Sequence, residues 1–195
     1  GIEFMLPIAR WIGYGGETDF HGNVLETVTW AAGLAAHSKN IQVFATVHTA
    51  FNHPIVVAKQ LATLDQMSGG RLGLNVVAGW NKPEYDAFGI DLPSDHSDRY
   101  AMAQEWFDYT QKLWTADTAF DWDGDFYQGK GVYSLPHPVQ PKMPIINAAG
   151  SEEGRVFAMR NADFLFTPVF DFDQAKATVA DITERAASVN RKVDV

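Results

Sequence analysis

Residues 68–86 read SGGRLGLNVVAGWNKPEYD. A Gly69-Gly70 turn feeds an apolar run over residues 72–77, interrupted by Asn75, and the chain then turns polar through Trp80, Asn81, Lys82 and Glu84. This is the profile of a parallel strand buried on both faces, whose C-terminal end opens into a polar loop. In α/β proteins that end of the strand carries the chemistry.

Working outward, the same unit recurs. Upstream, Pro54 sits where a helix's first turn needs no N–H, and residues 54–67 read as a helix; residues 41–47 read as a strand and 48–52 as its loop. Before these come an apolar run at 2–8, a loop holding Gly13, Gly15 and Gly16, and helical periodicity over 24–37. Downstream, a long loop runs to Asp95 and residues 97–114 place Leu, Trp, Phe and Met at helical spacing. Residues 115–143 break the rhythm: Asp123-Gly124 between aromatics reads as a hairpin, the prolines as an extended return, and the whole as an inserted flap. Alternation resumes with strands at 144–148 and 163–167 and helices after Ser151 and over 173–190. About five strands and five helices result.

Such alternation calls for a parallel sheet covered by helices, either an open doubly wound sheet or a (β/α)8 barrel. Neither G-x-G-x-x-G nor G-x-x-x-x-G-K-[ST] follows any strand, which favours the barrel over a nucleotide-binding sheet. A barrel needs ~250 residues, and residues 191–195 read as the run into another strand. The expectation is an α/β fold: one domain over 1–195, a TIM barrel incomplete in this chain.

Composition narrows the function. A net charge of -9 without a Lys/Arg cluster disfavours nucleic acid and leaves small molecules as partners. The absence of cysteine removes disulfides, thiolate metal sites and cysteine nucleophiles, and the histidines at 21, 37, 48, 53, 96 and 137 lack metal-ligand spacing. No apolar run approaches the ~20 residues of a membrane span, so a cytoplasmic setting is expected.

SGGRLGLNVVAGWNKPEYDAFGI, Asp98-Arg99-Tyr100 opening a helix, the Gly-Asp-Phe-Tyr hairpin and Ala149-Gly150-Ser151-x-x-Gly154 together resemble the flavin-dependent monooxygenases of the bacterial-luciferase superfamily. Within it the chain looks most like the pyrimidine monooxygenases and the alkanesulfonate and dimethyl sulfone monooxygenases, and GYGGETDFHGN leans toward the pyrimidine type. The resemblance implies a luciferase-like barrel lacking here its first βα unit and its C-terminal units, and a homo-oligomer, dimer or tetramer. It also implies an enzyme that inserts one atom of O2 into a small pyrimidine- or amide-type heterocycle or a sulfone. Reduced FMN would come from a separate NAD(P)H:flavin reductase. The alternatives are a deazaflavin- or flavin-dependent dehydrogenase on the same barrel, or a non-catalytic flavin-binding protein.

By the same resemblance Arg99, Tyr100 and Ser151 match positions that bind FMN, with Ala9, Arg10, Asn75 and Glu84 at the flavin ring. Thr46 with Asn75 matches the pair implied to hold O2 beside the flavin N5, which points to an N5–oxygen species, with a C4a-peroxide second. Bland readings stand beside these. Arg99 can pair with Asp95 or Asp98 on its own helix, Ser151 can be an N-cap alone, and His48 and His53 are more often structural. Arg10 stands where the pyrimidine pattern has a lysine, and Gly150 where it has a glutamine, so the substrate stays open.

Overall fold

The structure, a computed structural model, describes residues 1–195, and its contacts divide the chain into two compact units, Gly1–Met143 and Pro144–Val195. In the first unit the order is β1 (Phe4–Met5), α1 (Thr27–His37), β2 (Gln42–His48), α2 (Pro54–Ser68), β3 (Leu72–Val77), α3 (Lys82–Phe88), α4 (His96–Thr115), β4 (Phe120–Asp123) and β5 (Gln128–Val132). The second holds β6 (Ile145–Ala148), α5 (Glu152–Asn161), β7 (Phe164–Phe166) and α6 (Phe172–Ser188). No helix is long and apolar enough to cross a membrane.

The strands pair in parallel, as the βα alternation requires. Phe4 stands opposite Gln42 in the β1–β2 ladder, and β2 runs beside β3 in a register that sets Phe44 opposite Gly73, Thr46 opposite Asn75 and His48 opposite Val77. Burial explains the near-continuous apolar runs: Val43, Ala45 and Val47 on one face of β2 and Phe44, Thr46 and His48 on the other are all enclosed. Gly73 is required where it stands, because a Cβ there would meet the Phe44 ring at 2.3 Å. The first strand is shorter than the apolar run at 2–8 implied, since Pro7 has no N–H to continue the ladder.

Local chemistry sets the helix ends. The first helix begins three residues later than Val24, where the Glu26 carboxylate accepts from Val28 N at 2.9 Å and Thr29 N at 2.7 Å. Burial raises the Glu26 pKa and those bonds lower it, the bonds prevailing. Pro54 opens α2, and Gly69, left-handed at φ 67°, closes it. A correction falls between Asn81 and Asp95: the expected long loop contains α3, with Pro83 in its first turn and Gly89 at φ 66° ending it. K-P-E-Y-D-A-F-G carries both signals of a short helix.

The hairpin at Asp123-Gly124 forms, its strands β4 and β5 antiparallel. It docks on α4 through Glu105, whose carboxylate accepts from Trp122 Nε1, Phe126 N and Tyr127 N, while Trp122 stacks on Tyr109 at 4.6 Å. The return segment is clasped by the buried Asp65 of α2, which accepts from Val139 N and Gln140 N. In the second unit β6 and β7 are parallel, and Asp194 bridges to Phe164, as the expected run into a further strand requires.

Candidate active site

The C-terminal ends of β1, β2 and β3 bring together five of the eight residues singled out from sequence. Register places Thr46 beside Asn75, and the Asn75 amide donates to the Thr46 hydroxyl at 3.1 Å. That hydroxyl donates in turn to the Pro7 carbonyl at 2.6 Å, so its one proton is committed to the segment leaving β1. Both side chains are buried, and Asn75 Oδ1 has no partner. An orphaned acceptor in a buried strand costs about 1–3 kcal/mol and is the kind of atom a ligand N–H satisfies.

Two residues beyond Thr46 on the same face of β2, His48 faces the second cluster. Glu84, 1% exposed at the start of α3, accepts from Trp11 N at 2.7 Å and so ties α3 to the loop after β1. Its other oxygen lies 4.0 Å from the Arg10 guanidinium and 3.9 Å from His48 Nδ1. Burial is the main cause that pushes the His48 pKa down to about 4; the Glu84 charge opposes this and the Arg10 charge adds to it, so the imidazole is neutral at pH 7. Sequence reasoning weighed His48 as structural, and nothing short of the tertiary fold reveals the glutamate beside it.

Arg10 is held rigidly. Its guanidinium donates to the Ala9 carbonyl at 3.0 Å and to the Tyr14 hydroxyl at 2.6 Å, and it lies 5.1 Å from the ring centres of both Tyr14 and Trp80. Trp80 and Tyr14 stack at 6.0 Å with more than half of Trp80 exposed, an aromatic ledge beside the cluster. Ala9, Arg10, Thr46 and His48 line one cleft of about 150 Å³, together with Glu26, Thr27 and Asn52. Three of the predicted residues, Ala9, Arg10 and Thr46, thus share one wall.

Arg99 and Tyr100 stand apart from that cleft, in the first turn of α4. Arg99 is buried at 6% exposure, and the Asp95 carboxyl is held below its usual range by its bonds from Ser97 and also by the Arg99 charge, in keeping with the bland reading of a pair on the same helix. Asp95 also caps the helix, accepting from Ser97 N at 2.8 Å. A phosphate is a natural further complement of a buried guanidinium. Ser151 belongs to the second unit, where its hydroxyl accepts from Gly154 N at 3.1 Å and caps α5. The charge of Glu152 beside it is met by Arg185.

Within the first unit the donor set therefore suits a flavin: a buried amide with an orphaned oxygen for the polar edge of a ring and a buried cation for a phosphate. The luciferase-like monooxygenase family model matches residues 1–195. The chain is 40% identical over 166 residues to the pyrimidine monooxygenase RutA of Escherichia coli, covering 85% of this chain and 45% of that protein. It thus spans less than half the length of the curated relatives it matches. Among solved structures, riboflavin lyase, determined with modified FMN and riboflavin, superposes with a TM-score of 0.80 at 26% identity, over 87% of this chain and 42% of that one. The long-chain alkane monooxygenase LadA does so with a TM-score of 0.78 at 26% identity, over 87% and 44%.

Proposed function

The chain belongs to the luciferase-like monooxygenase family, and from that premise we propose that the whole protein is an FMN-dependent monooxygenase acting on a small pyrimidine- or amide-type heterocycle or a sulfone. Reduced flavin would be supplied by a separate NAD(P)H:flavin reductase. The observation that carries this reading is the convergence of Arg10, Thr46, Asn75 and Glu84 at the ends of three parallel strands, with Asn75 Oδ1 left as a buried acceptor without a partner. The (β/α)8 barrel, a single domain incomplete over these residues, and the homo-oligomeric assembly belong to the same proposal.

Each residue has a task that its chemistry supports. Arg99, Tyr100 and Ser151 bind the phosphate, the first as a buried cation. Ala9, Arg10, Asn75 and Glu84 fix the ring, with Glu84 acting through the Trp11 N–H and the Arg10 guanidinium. Thr46 has no proton to spare, so it serves oxygen by orienting the Asn75 amide. Bound reduced FMN would supply the electrons for oxygen activation; the chain's share is to orient and to exclude water.

The test is an anaerobic titration of the full-length protein with reduced FMN, followed by an O2 pulse in the presence of uracil or dimethyl sulfone. Saturable flavin binding and substrate-dependent O2 consumption are expected. Hydride transfer without oxygen would mark a dehydrogenase instead, and bound flavin without turnover a non-catalytic protein.

A further inference from the structure

We propose that Tyr14, carried by the glycine-rich loop after β1, is a positioning residue for Arg10, and that the two form a clamp holding the guanidinium in one orientation at the wall of the cleft. The proposal rests on the monooxygenase reading and deepens it, since there Arg10 contacts the flavin ring.

The loop is built to present Tyr14. Gly15 and Gly16 take left-handed backbone at φ 70° and 74°, and Asp19 closes the turn they make, its carboxylate accepting from Gly15 N at 2.9 Å. Tyr14 N donates to the Phe20 carbonyl at 3.1 Å across the same turn. A Cβ on Gly13 would meet the Gly22 backbone at 2.5 Å, so the two ends of the loop approach each other only because glycine stands there. The Tyr14 ring lies 6.0 Å from both Phe20 and Trp80, stacked on each.

This ring fixes a cation. Two N–H groups of Arg10, on Nε and Nη2, converge on the Tyr14 hydroxyl at 3.2 and 2.6 Å, and a third, on Nη1, reaches the Ala9 carbonyl at 3.0 Å. Trp80 supplies a second ring 5.1 Å from the guanidinium carbon, and Glu84 stands 4.0 Å from Nη1. Three of the five donors are thereby committed and the plane of the fork is set, which leaves two N–H groups in a fixed place for a ligand oxygen. The Arg10 side chain is 10% exposed and lines the cleft, whereas Tyr14 is 45% exposed on the outer side of the clamp. Tyr14 therefore acts on the cleft through Arg10.

The clamp requires arginine. A lysine ammonium carries all its N–H groups on one atom and has no plane, so it does not bond a phenol and a carbonyl at fork spacing while lying against two rings. Arg10 stands where the pyrimidine pattern has a lysine, and Tyr14 is what turns the planar cation into a fixed donor at that point.

A double-variant cycle in the full-length protein tests this, with FMN affinity read by fluorescence quenching and the Arg10 guanidinium followed by nitrogen NMR in the absence of flavin. Tyr14→Phe keeps the stacked ring and removes the acceptor. It should weaken FMN binding by about tenfold, the order of one charge-assisted hydrogen bond. In the Arg10→Lys background, where no fork remains to be held, the same change should cost less than about twofold. The NMR spectrum should show the two Nη groups of Arg10 as distinct in the wild type, because a clamped guanidinium rotates slowly, and averaged in Tyr14→Phe. Equal losses of affinity in the two backgrounds, as a residue that only stiffens the loop would give, or an Arg10 side chain no more mobile in Tyr14→Phe than in the wild type, overturns the proposal and leaves the monooxygenase reading standing. A wild type that takes up no flavin overturns that reading, and the NMR comparison then still decides whether Tyr14 holds Arg10.

Discussion

Arg99 and Asn75 are buried polar groups, and each makes a prediction that separates stability from binding. Replacing Arg99 by Met removes a buried cation and keeps a side chain of comparable reach. The melting temperature should hold or rise, because taking a charge out of water opposes folding. Flavin affinity should fall by about 1.5–3 kcal/mol, the worth of a hydrogen bond to a charged group, read by fluorescence quenching on the same sample. A fall in both would show that the Arg99 charge supports the fold as well, through Asp95. For Asn75→Ala, loss of the bond to Thr46 is offset by removal of the orphaned Oδ1, so stability should shift by less than about 1 kcal/mol while oxygen consumption collapses.

Elements are held in place by single side chains acting at their ends. Asp65, fully buried near the C-terminus of α2, accepts four hydrogen bonds, from Val139 N, Gln140 N, Gln140 Nε2 and, at 3.4 Å, Leu72 N. Asp65→Ala leaves two backbone donors of the return segment without partners and should cost about 3 kcal/mol in urea denaturation. Asp65→Asn, which keeps one acceptor, should cost less. Gly73 fixes the fit of β3 to β2 by yielding its space to Phe44. Gly73→Ala should destabilise by about 1–3 kcal/mol, with part regained in the double variant Gly73→Ala, Phe44→Leu. Simple addition of the two single effects would show that the contact does not set the packing.

The molecule as a whole should be acid-sensitive through His48. Its pKa lies near 6.5 in the unfolded chain and about 4 in the folded one, so between those values the unfolded chain binds more protons. Stability from this group is complete above about pH 6.5 and is lost as pH falls through 4, by up to about 3 kcal/mol. A melting-temperature series from pH 7 to 4 should flatten in His48→Gln; a slope unchanged by that substitution would place the acid-sensitive group elsewhere.

Much of this was legible in the chain itself. Apolar runs of strand length, Pro54 and Gly69 at a helix's two ends, and Asp123-Gly124 between aromatics are local signals, and the structure bears each of them out because their causes lie within a few residues. The pairing of Thr46 with Asn75, expected only from the family resemblance, follows in the structure from the register of β2 against β3. Short K-P-E-Y-D-A-F-G was readable as α3 and was passed over in favour of a loop. Other features depend on residues distant along the chain. Periodicity does not say that Glu84 reaches Trp11 N, that it stands 3.9 Å from His48, or that Arg99 is buried. Sequence alone thus determined the elements and the end of the strands where chemistry gathers, because propensity and burial act locally. Which side chains are charged, neutral or unsatisfied there was decided only by tertiary structure, because electrostatics and desolvation depend on what the fold brings within a few ångströms.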